Sequence, residues 1–444
     1  MTIFNEHSPV RFQDALPEAV DVVIIGGGVI GIATAWFLTK SGHSVLVCEK
    51  GRVAGEQSSR NWGWIRQQGR DDAELPIVMD SIAIWESLSR EIDEDIGFTR
   101  KGVIYLGETE TEIAKFEQWL EIAKQHELDT RLLTGAEVDR LITDKPGQWR
   151  GALYTASDAR AEPFKAVPAL ARGLQKLGCR IRENCAVRVL DSQAGAVCGV
   201  VTEDGRVKAQ AVVCAAGAWS SMFVRNLGID LPQLAVKATV ARTAAAPDVF
   251  PGNAVSHDFA FRRRADGGYT IALGDYSQHF VGADSFRHFL KFLPSLRASW
   301  RSMALRFGDG LVSRFTRPVA WDGDTVTAFE RTRVLNPEPC ARSIERMRTR
   351  LSIRLPSLAN VPFDETWAGM IDATPDIVPY MDEAPGTRGF FIATGFSGHG
   401  FGIGPGAGRV MADKVLGRKP AHDLERFRLS RFSDGSAIKL GPLL

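Results

Sequence analysis

The sequence predicts an α/β protein in two parts. One is a parallel sheet covered by helices and assembled from separated stretches; the other is an inserted α+β unit built on a mostly antiparallel sheet. Three observations carry this. Residues 21–50 (DVVIIGGGVIGIATAWFLTKSGHSVLVCEK) read as strand, glycine turn, helix, strand. The same style returns from Ala209 and again over 389–417. Between Ala235 and about Phe363 the apolar segments turn short and alternating, as in FAFRRRADGGYTIALG, the habit of antiparallel strands.

The elements follow in order. The first strand is β-branched and almost wholly apolar, as a strand covered on both faces must be. A helix over 28–40 stops at Ser41-Gly42, and 44–48 is the second parallel strand. Residues 73–92 form a helix with Leu75, Val78, Ile82, Trp85 and Leu88 on one side. A strand over 101–107 precedes an amphipathic helix over 110–125, and another helix spans 164–177. Strands follow near 179–183, 187–190 and 197–202; a later helix lies near 340–354. The nucleotide-binding unit is therefore expected over 18–100, 150–234 and 364–430, and the substrate unit over 101–149 and 235–363, with extensions at 1–17 and 431–444.

Composition excludes several classes. With 44% hydrophobic and 24% charged residues in 444, the chain is ordinary globular material for two units. A formal net charge of +1 gives no general attraction to nucleic acid. Six cysteines without a CxxC pair, and eight histidines without HxxxH, predict no metal site. The first twenty residues lack an apolar core, and the longest apolar run is broken by Asp21 and three glycines. Neither a secretory signal nor a membrane span is expected, so the cytoplasm is the expected location, with peripheral membrane contact left open.

Gly26-x-Gly28-x-x-Gly31 sits where a strand hands over to a helix. Gly26 permits the tight turn, Gly28 lets a pyrophosphate approach the backbone, and Gly31 allows close helix–strand packing. First-turn N–H groups, at Val29 and Ile30, add donors and a partial positive charge. Glu49 ends the next strand about eighteen residues after Gly31, where an acid binds ribose hydroxyls. Lys50 either continues toward the adenosine or is a solvated surface lysine. The acid does not choose between NAD and FAD. The later handovers do: AAGAW (215–219, with Ala216, Gly217 and Trp219) and GFSGHGFGIGPG (395–406) are turns that a long flavin dinucleotide uses and a nicotinamide cofactor does not need.

With GEQSSRNWG, GAWSSMFVRNLGIDLP, FRRRADGGY, WAGMIDATPDIVPY and GFSGHGFG in view, the chain resembles the D-amino acid oxidase-like flavoproteins. Within them it is most similar to the bacterial L-amino acid deaminases. The resemblance implies a Rossmann-like FAD-binding domain of the glutathione-reductase type. It implies that Ser58, Ser59 and Arg60 contact the pyrophosphate and ribityl chain and that Asn61, Gly63 and Trp64 run beside the flavin ring. Val187 holds the adenine through its backbone, Gly217 and Trp219 make the second nucleotide contact, and Gly369 with Gly398, His399, Gly400, Phe401 and Gly402 forms the loops at the ring. Arg262 matches the arginine that pairs with the substrate carboxylate, a role suited to a planar, permanently charged fork. Because Arg263 and Arg264 adjoin it, a surface basic patch is the competing reading. His399 is either an acid–base group or packed, and Trp64 an apolar wall.

Departures from the family matter too. The covalent-flavin cysteine position falls at about Gly369 and no histidine lies in Arg60-Asn61-Trp62, so FAD is expected to be noncovalent. Sarcosine oxidase carries a lysine where this chain has Gly402, which disfavours sarcosine. The reading that follows is hydride transfer from the α-carbon of an amino acid, or N-substituted amino acid, to flavin N5. The resulting imine hydrolyses to a keto acid plus ammonia or an amine, with O2 or a quinone- or dye-like carrier as final acceptor. The alternatives are an opine-type oxidase, a 2-hydroxy acid dehydrogenase, or the flavin-binding subunit of a larger complex. Arg66, Gln67 and Gln68 in SSRNWGWIRQQGRD are either polar substrate contacts or ties from this loop to the inserted unit.

Overall fold

A computed structural model describes residues 3–307 and 320–441. At its centre the strand Ala19–Ile25 lies between Val45–Cys48 and Gly205–Cys214, parallel to both. Arg180–Arg182 and Phe390–Thr394 add further parallel strands. Val187–Gln193, Ala196–Thr202 and Tyr380–Glu383 pair antiparallel and complete the eight described strands. Val23, Ile24, Leu46, Val47, Val212 and Val213 are wholly buried. That is why their segments read as unbroken apolar runs.

Helices Val29–Lys40 and Gly400–Val415 cross closely on this sheet. A Cβ on Gly408 would lie 2.6 Å from the Ala33 Cβ, so the contact depends on the missing side chain. Pro405 interrupts the second helix's own ladder, since it has no N–H to give the Phe401 carbonyl. Helix Leu75–Glu91 repairs the break. Trp85 Nε1 donates to that carbonyl at 3.2 Å, and the Ser81 hydroxyl donates to Gly402 O at 2.7 Å while accepting from Gly406 N at 3.1 Å.

The second sheet has ten described strands and is mostly antiparallel, with two parallel pairs. It extends past the expected boundaries. Phe363–Ala373 lies along Leu234–Thr243 for nearly its whole length, although the sequence style assigned 364 onward to the nucleotide-binding unit. Gly151–Thr155 likewise pairs with Val103–Gly107. Helices Ala283–Arg287 and Phe289–Ser299 interrupt the expected run of short strands. The terminal extensions are built in as well: Gln13 bridges Arg182, and Arg431 pairs with Asp376 at 2.9 Å while stacking on Tyr380. Among the described residues no helix is long and apolar enough to cross a membrane.

Candidate active site

The carboxyl ends of the central strands open onto a cleft enclosing about 1190 Å³, its mouth included. Gly26 forms its floor at φ +110°, where a Cβ would lie 2.5 Å from the Ala215 carbonyl. Gly31 packs behind, where a Cβ would stand 2.0 Å from Gly26 O. The floor is therefore bare backbone.

Two helices begin at this cleft. Gly28 caps Val29–Lys40 in extended conformation with no side-chain cap and no acid in the first turn. Val29 N donates to Ser58 Oγ at 2.9 Å, and Ile30 lines the wall beside it. His399 caps Gly400–Val415, also without a side-chain cap or a first-turn acid, and Gly398, Gly400 and Phe401 line the cleft. Two partly positive helix ends thus face one space, a field that favours a phosphate chain and a negatively charged ring.

Glu49 stands at the wall with its carboxylate accepting from Gly27 N at 2.8 Å and Gly51 N at 2.7 Å; burial pushes it up to about 7. Lys50 is not a solvated surface lysine. Its ammonium lies 2.7 Å from Glu56 and 4.3 Å from the Trp219 ring centre, and donates to the Thr332 and Arg333 carbonyls. Val187, Ala216, Gly217 and Trp219 line the same wall. Glu56, which no motif singled out, collects Lys50, the Trp219 indole N–H at 3.0 Å and the Leu335 N–H at 3.0 Å.

Other expected cofactor residues lie behind the wall. Ser59 is fully buried, and Arg60 is turned inward: it donates to Asn336 Oδ1 at 2.7 Å, Ala368 O at 2.9 Å and Phe4 O at 2.8 Å. Its fork is spent on protein acceptors, because the N-terminal segment and the inserted sheet meet there. Asn61 lines the cleft and accepts from Gly63 N at 2.8 Å. Gly369 abuts Gln57, whose Oε1 a Cβ would approach to 2.3 Å; Met370 and Asp372 line the cleft in its place. Gly402 backs onto the Trp64 carbonyl.

The substrate side differs from expectation at Arg262. Its guanidinium is 2% exposed and bidentate to Glu162, at 2.9 and 3.0 Å, with Thr270 Oγ1 at 3.3 Å. Gly63 passes against this pair, where a Cβ would lie 2.9 Å from the Arg262 guanidinium carbon. Glu162, unmarked in the sequence, supplies the carboxylate that the resemblance assigned to a substrate. Arg264 is engaged by Asp266 at 2.7 Å.

Gln67 and Gln68 tie the loop down. Asp158 accepts from both backbone N–H groups, at 2.7 and 3.2 Å, and Gln68 reaches Leu153 O at 3.1 Å and Thr155 Oγ1 at 2.8 Å. Arg66 donates to Gln68 O and the Tyr105 hydroxyl, and sits over the Trp64 and Tyr105 rings. His399 is pushed down to about 4 by burial and by Arg70, so it is neutral at neutral pH; its Nδ1 lies 3.5 Å from Glu74. A ring pushed that low is a poor proton donor and a weak base at neutral pH.

A glycine-floored cleft, two bare helix ends and an acid at the second strand fit a dinucleotide, and similar proteins carry the same frame. The L-amino acid deaminase from Proteus myxofaciens, solved in complex with anthranilate, is 29% identical with a TM-score of 0.92, covering 98% of each chain. Glycine oxidase from Geobacillus kaustophilus is 26% identical over 93% of this chain and 97% of its own. Human mitochondrial sarcosine dehydrogenase is 25% identical over 94% of this chain but only 42% of its own length, so the chain spans less than half of that relative. The FAD dependent oxidoreductase (DAO) family model matches residues 21–414, nearly the whole described cleft and both sheets, and the chain belongs to that family.

Proposed function

We propose that this chain oxidises the C–N bond of an amino acid or N-substituted amino acid, with FAD held noncovalently. The cleft carries the reading: its length, bare turn and paired helix ends suit a flavin dinucleotide, and its far end meets a loop rich in indole and guanidinium. FAD, when bound, supplies the acceptor for the hydride that leaves the substrate α-carbon. The backbone at 26–28 and Ser58 hold the pyrophosphate. Glu49 accepts the ribose hydroxyls, and Val187, Gly217 and Trp219 bound the adenosine.

Gly398, Gly400 and Phe401 present backbone at the ring, and Trp64 walls the substrate space. The amine enters unprotonated, and neutral His399 adds no cation to repel it. The product imine takes up water to give a keto acid plus ammonia or an amine, and the electrons pass to O2 or a quinone-like carrier. Anaerobic titration of the yellow holoprotein with D- and L-amino acids and N-alkyl amino acids tests this. Bleaching near 450 nm, the usual flavin band, is expected with at least one of them. A flavin that stays oxidised with all of them would sink the reading.

A further inference from the structure

One stretch of the inserted unit, 321–336, lies against the nucleotide-binding unit. It holds no strand and only the short helix Ala328–Arg331, so no sheet ladder fixes it there. Side chains fasten it along its length instead. Trp321 Nε1 donates to Arg188 O at 2.7 Å, and the Arg188 guanidinium reaches back to Gly323 O at 3.0 Å and Glu330 at 2.8 Å. Arg333 forks onto the Glu203 carboxylate and donates to Lys50 O at 3.0 Å, while the Lys50 ammonium donates to Thr332 O and Arg333 O. Leu335 gives its N–H to Glu56, and Asn336 accepts from Arg60. At Gly51 the two backbones meet, where a Cβ would stand 1.9 Å from Arg333 O.

The stretch enters the cleft through one residue. Phe329 is 5% exposed and, among the described residues, is the only one of 235–363 that lines the cleft. Its ring stands T-shaped to Trp219 at 5.7 Å and to Trp321 at 5.6 Å. Lys50 and Glu56 line the cleft as well, and both also bind the stretch. The groups that fasten the stretch are therefore part of the cleft wall. Glu49 stands beside them, the strand-end acid suited to ribose hydroxyls. An aromatic corner next to such an acid is a surface for a purine ring.

We propose that 321–336 is a strap that completes the adenosine end of the cofactor site, with Phe329 packed against the adenine nucleotide half of FAD and Lys50 latching the strap in place. This rests on the FAD reading of the cleft and on no particular substrate. A nucleotide seated against Phe329 adds contacts to a segment that no ladder holds. Nucleotide binding and strap docking therefore favour each other by the same factor. Release requires the strap to lift, which uncovers the buried side chains of Phe329, Val334 and Leu335. A weakened strap consequently shows in the rate at which the cofactor leaves.

The test is FAD release from diluted holoprotein, joined to hydrogen exchange of the flavin-stripped chain alone and with ADP, FMN or FAD. Phe329→Ala and Lys50→Met should each release flavin roughly tenfold faster than the parent, read by flavin fluorescence. ADP carries the adenosine half of FAD and FMN the flavin half. With ligand at about ten times its dissociation constant, ADP and FAD should slow amide exchange over 327–336 roughly tenfold. FMN should leave that stretch unchanged, and ADP should leave strands Ala260–Arg263 and Tyr269–Ala272 unchanged. Release at the parent's rate from either variant, equal protection by FMN and ADP, or protection spread evenly over those strands would overturn the strap. If neither ADP nor FAD binds, the cofactor reading falls and the strap with it. If FAD binds while 327–336 exchanges as before, the strap falls and the cofactor reading stands.

Discussion

The glycine-floored end of the cleft is built from backbone, while the inserted half beside it is held by side chains whose partners lie far away in the chain. Gly26, Gly28 and the first turns of two helices present N–H groups whose direction is set by local conformation alone. Arg262 and Glu162, Gln67 and Asp158, Arg60 and Ala368 are pairs about ninety to three hundred residues apart. Backbone recognition tolerates sequence change everywhere except where a Cβ cannot fit. Side-chain recognition turns on which of several like residues finds a partner inside the protein and which is left for a ligand.

The largest expected effect breaks the backbone end. Gly26→Val forces a branched residue to φ +110° with its Cβ at 2.5 Å from a carbonyl oxygen. The left-handed conformation and overpacking together cost about 2–5 kcal/mol, so the protein should purify colourless or misfolded. The flavin-to-protein absorbance ratio measures this.

Glu162→Gln comes next. It leaves the buried Arg262 without its carboxylate, at a cost of about 3–5 kcal/mol, read by denaturant unfolding of the holoprotein. Replacing both partners by methionine should recover most of the loss. Equal damage in the single and double variants would show that the pair is not the unit described.

Glu49 sharpens the comparison through pH. Its folded value of about 7 lies above the ordinary carboxylate value because of burial. Its contribution to apoprotein stability is therefore full below the unfolded value near 4.5 and is lost as pH rises through 7. Apoprotein carrying Glu49→Gln should be more stable than the parent above pH 7 and indistinguishable below about pH 4.5. The same change should weaken FAD by roughly ten- to a hundredfold, the worth of hydrogen bonds to a charged group. A pH-independent stability difference would contradict this.

The smallest effect is at Ser58. Ser58→Ala removes the acceptor for Val29 N–H, worth about 0.5–1.5 kcal/mol, and should raise the FAD dissociation constant roughly two- to tenfold.

What was legible in the sequence follows the same division. The turn, both handovers and the strand-end acid could be read because periodicity and glycine spacing encode local backbone. Helix 110–125 matches to the residue, helped by the capping box of Thr109 and Glu112. The Arg262 role could not be read, because nothing local marks Glu162 as its partner across 100 residues. Arg60 drew a phosphate role from its place in SSRNWG, yet the N-terminal segment and the strand holding Ala368 absorb its fork. Strand Phe363–Ala373 went to the wrong sheet because its partner, Leu234–Thr243, lies more than a hundred residues earlier.

The measurement that bears most directly on the account is anaerobic flavin reduction by one amino acid across a concentration range, in the parent and in the paired Arg262→Met and Glu162→Met protein. The account predicts that the paired variant needs within a few-fold of the parent's amino acid concentration to reach half its limiting bleaching rate. A paired variant that loses its saturation would contradict the account and return the carboxylate to Arg262.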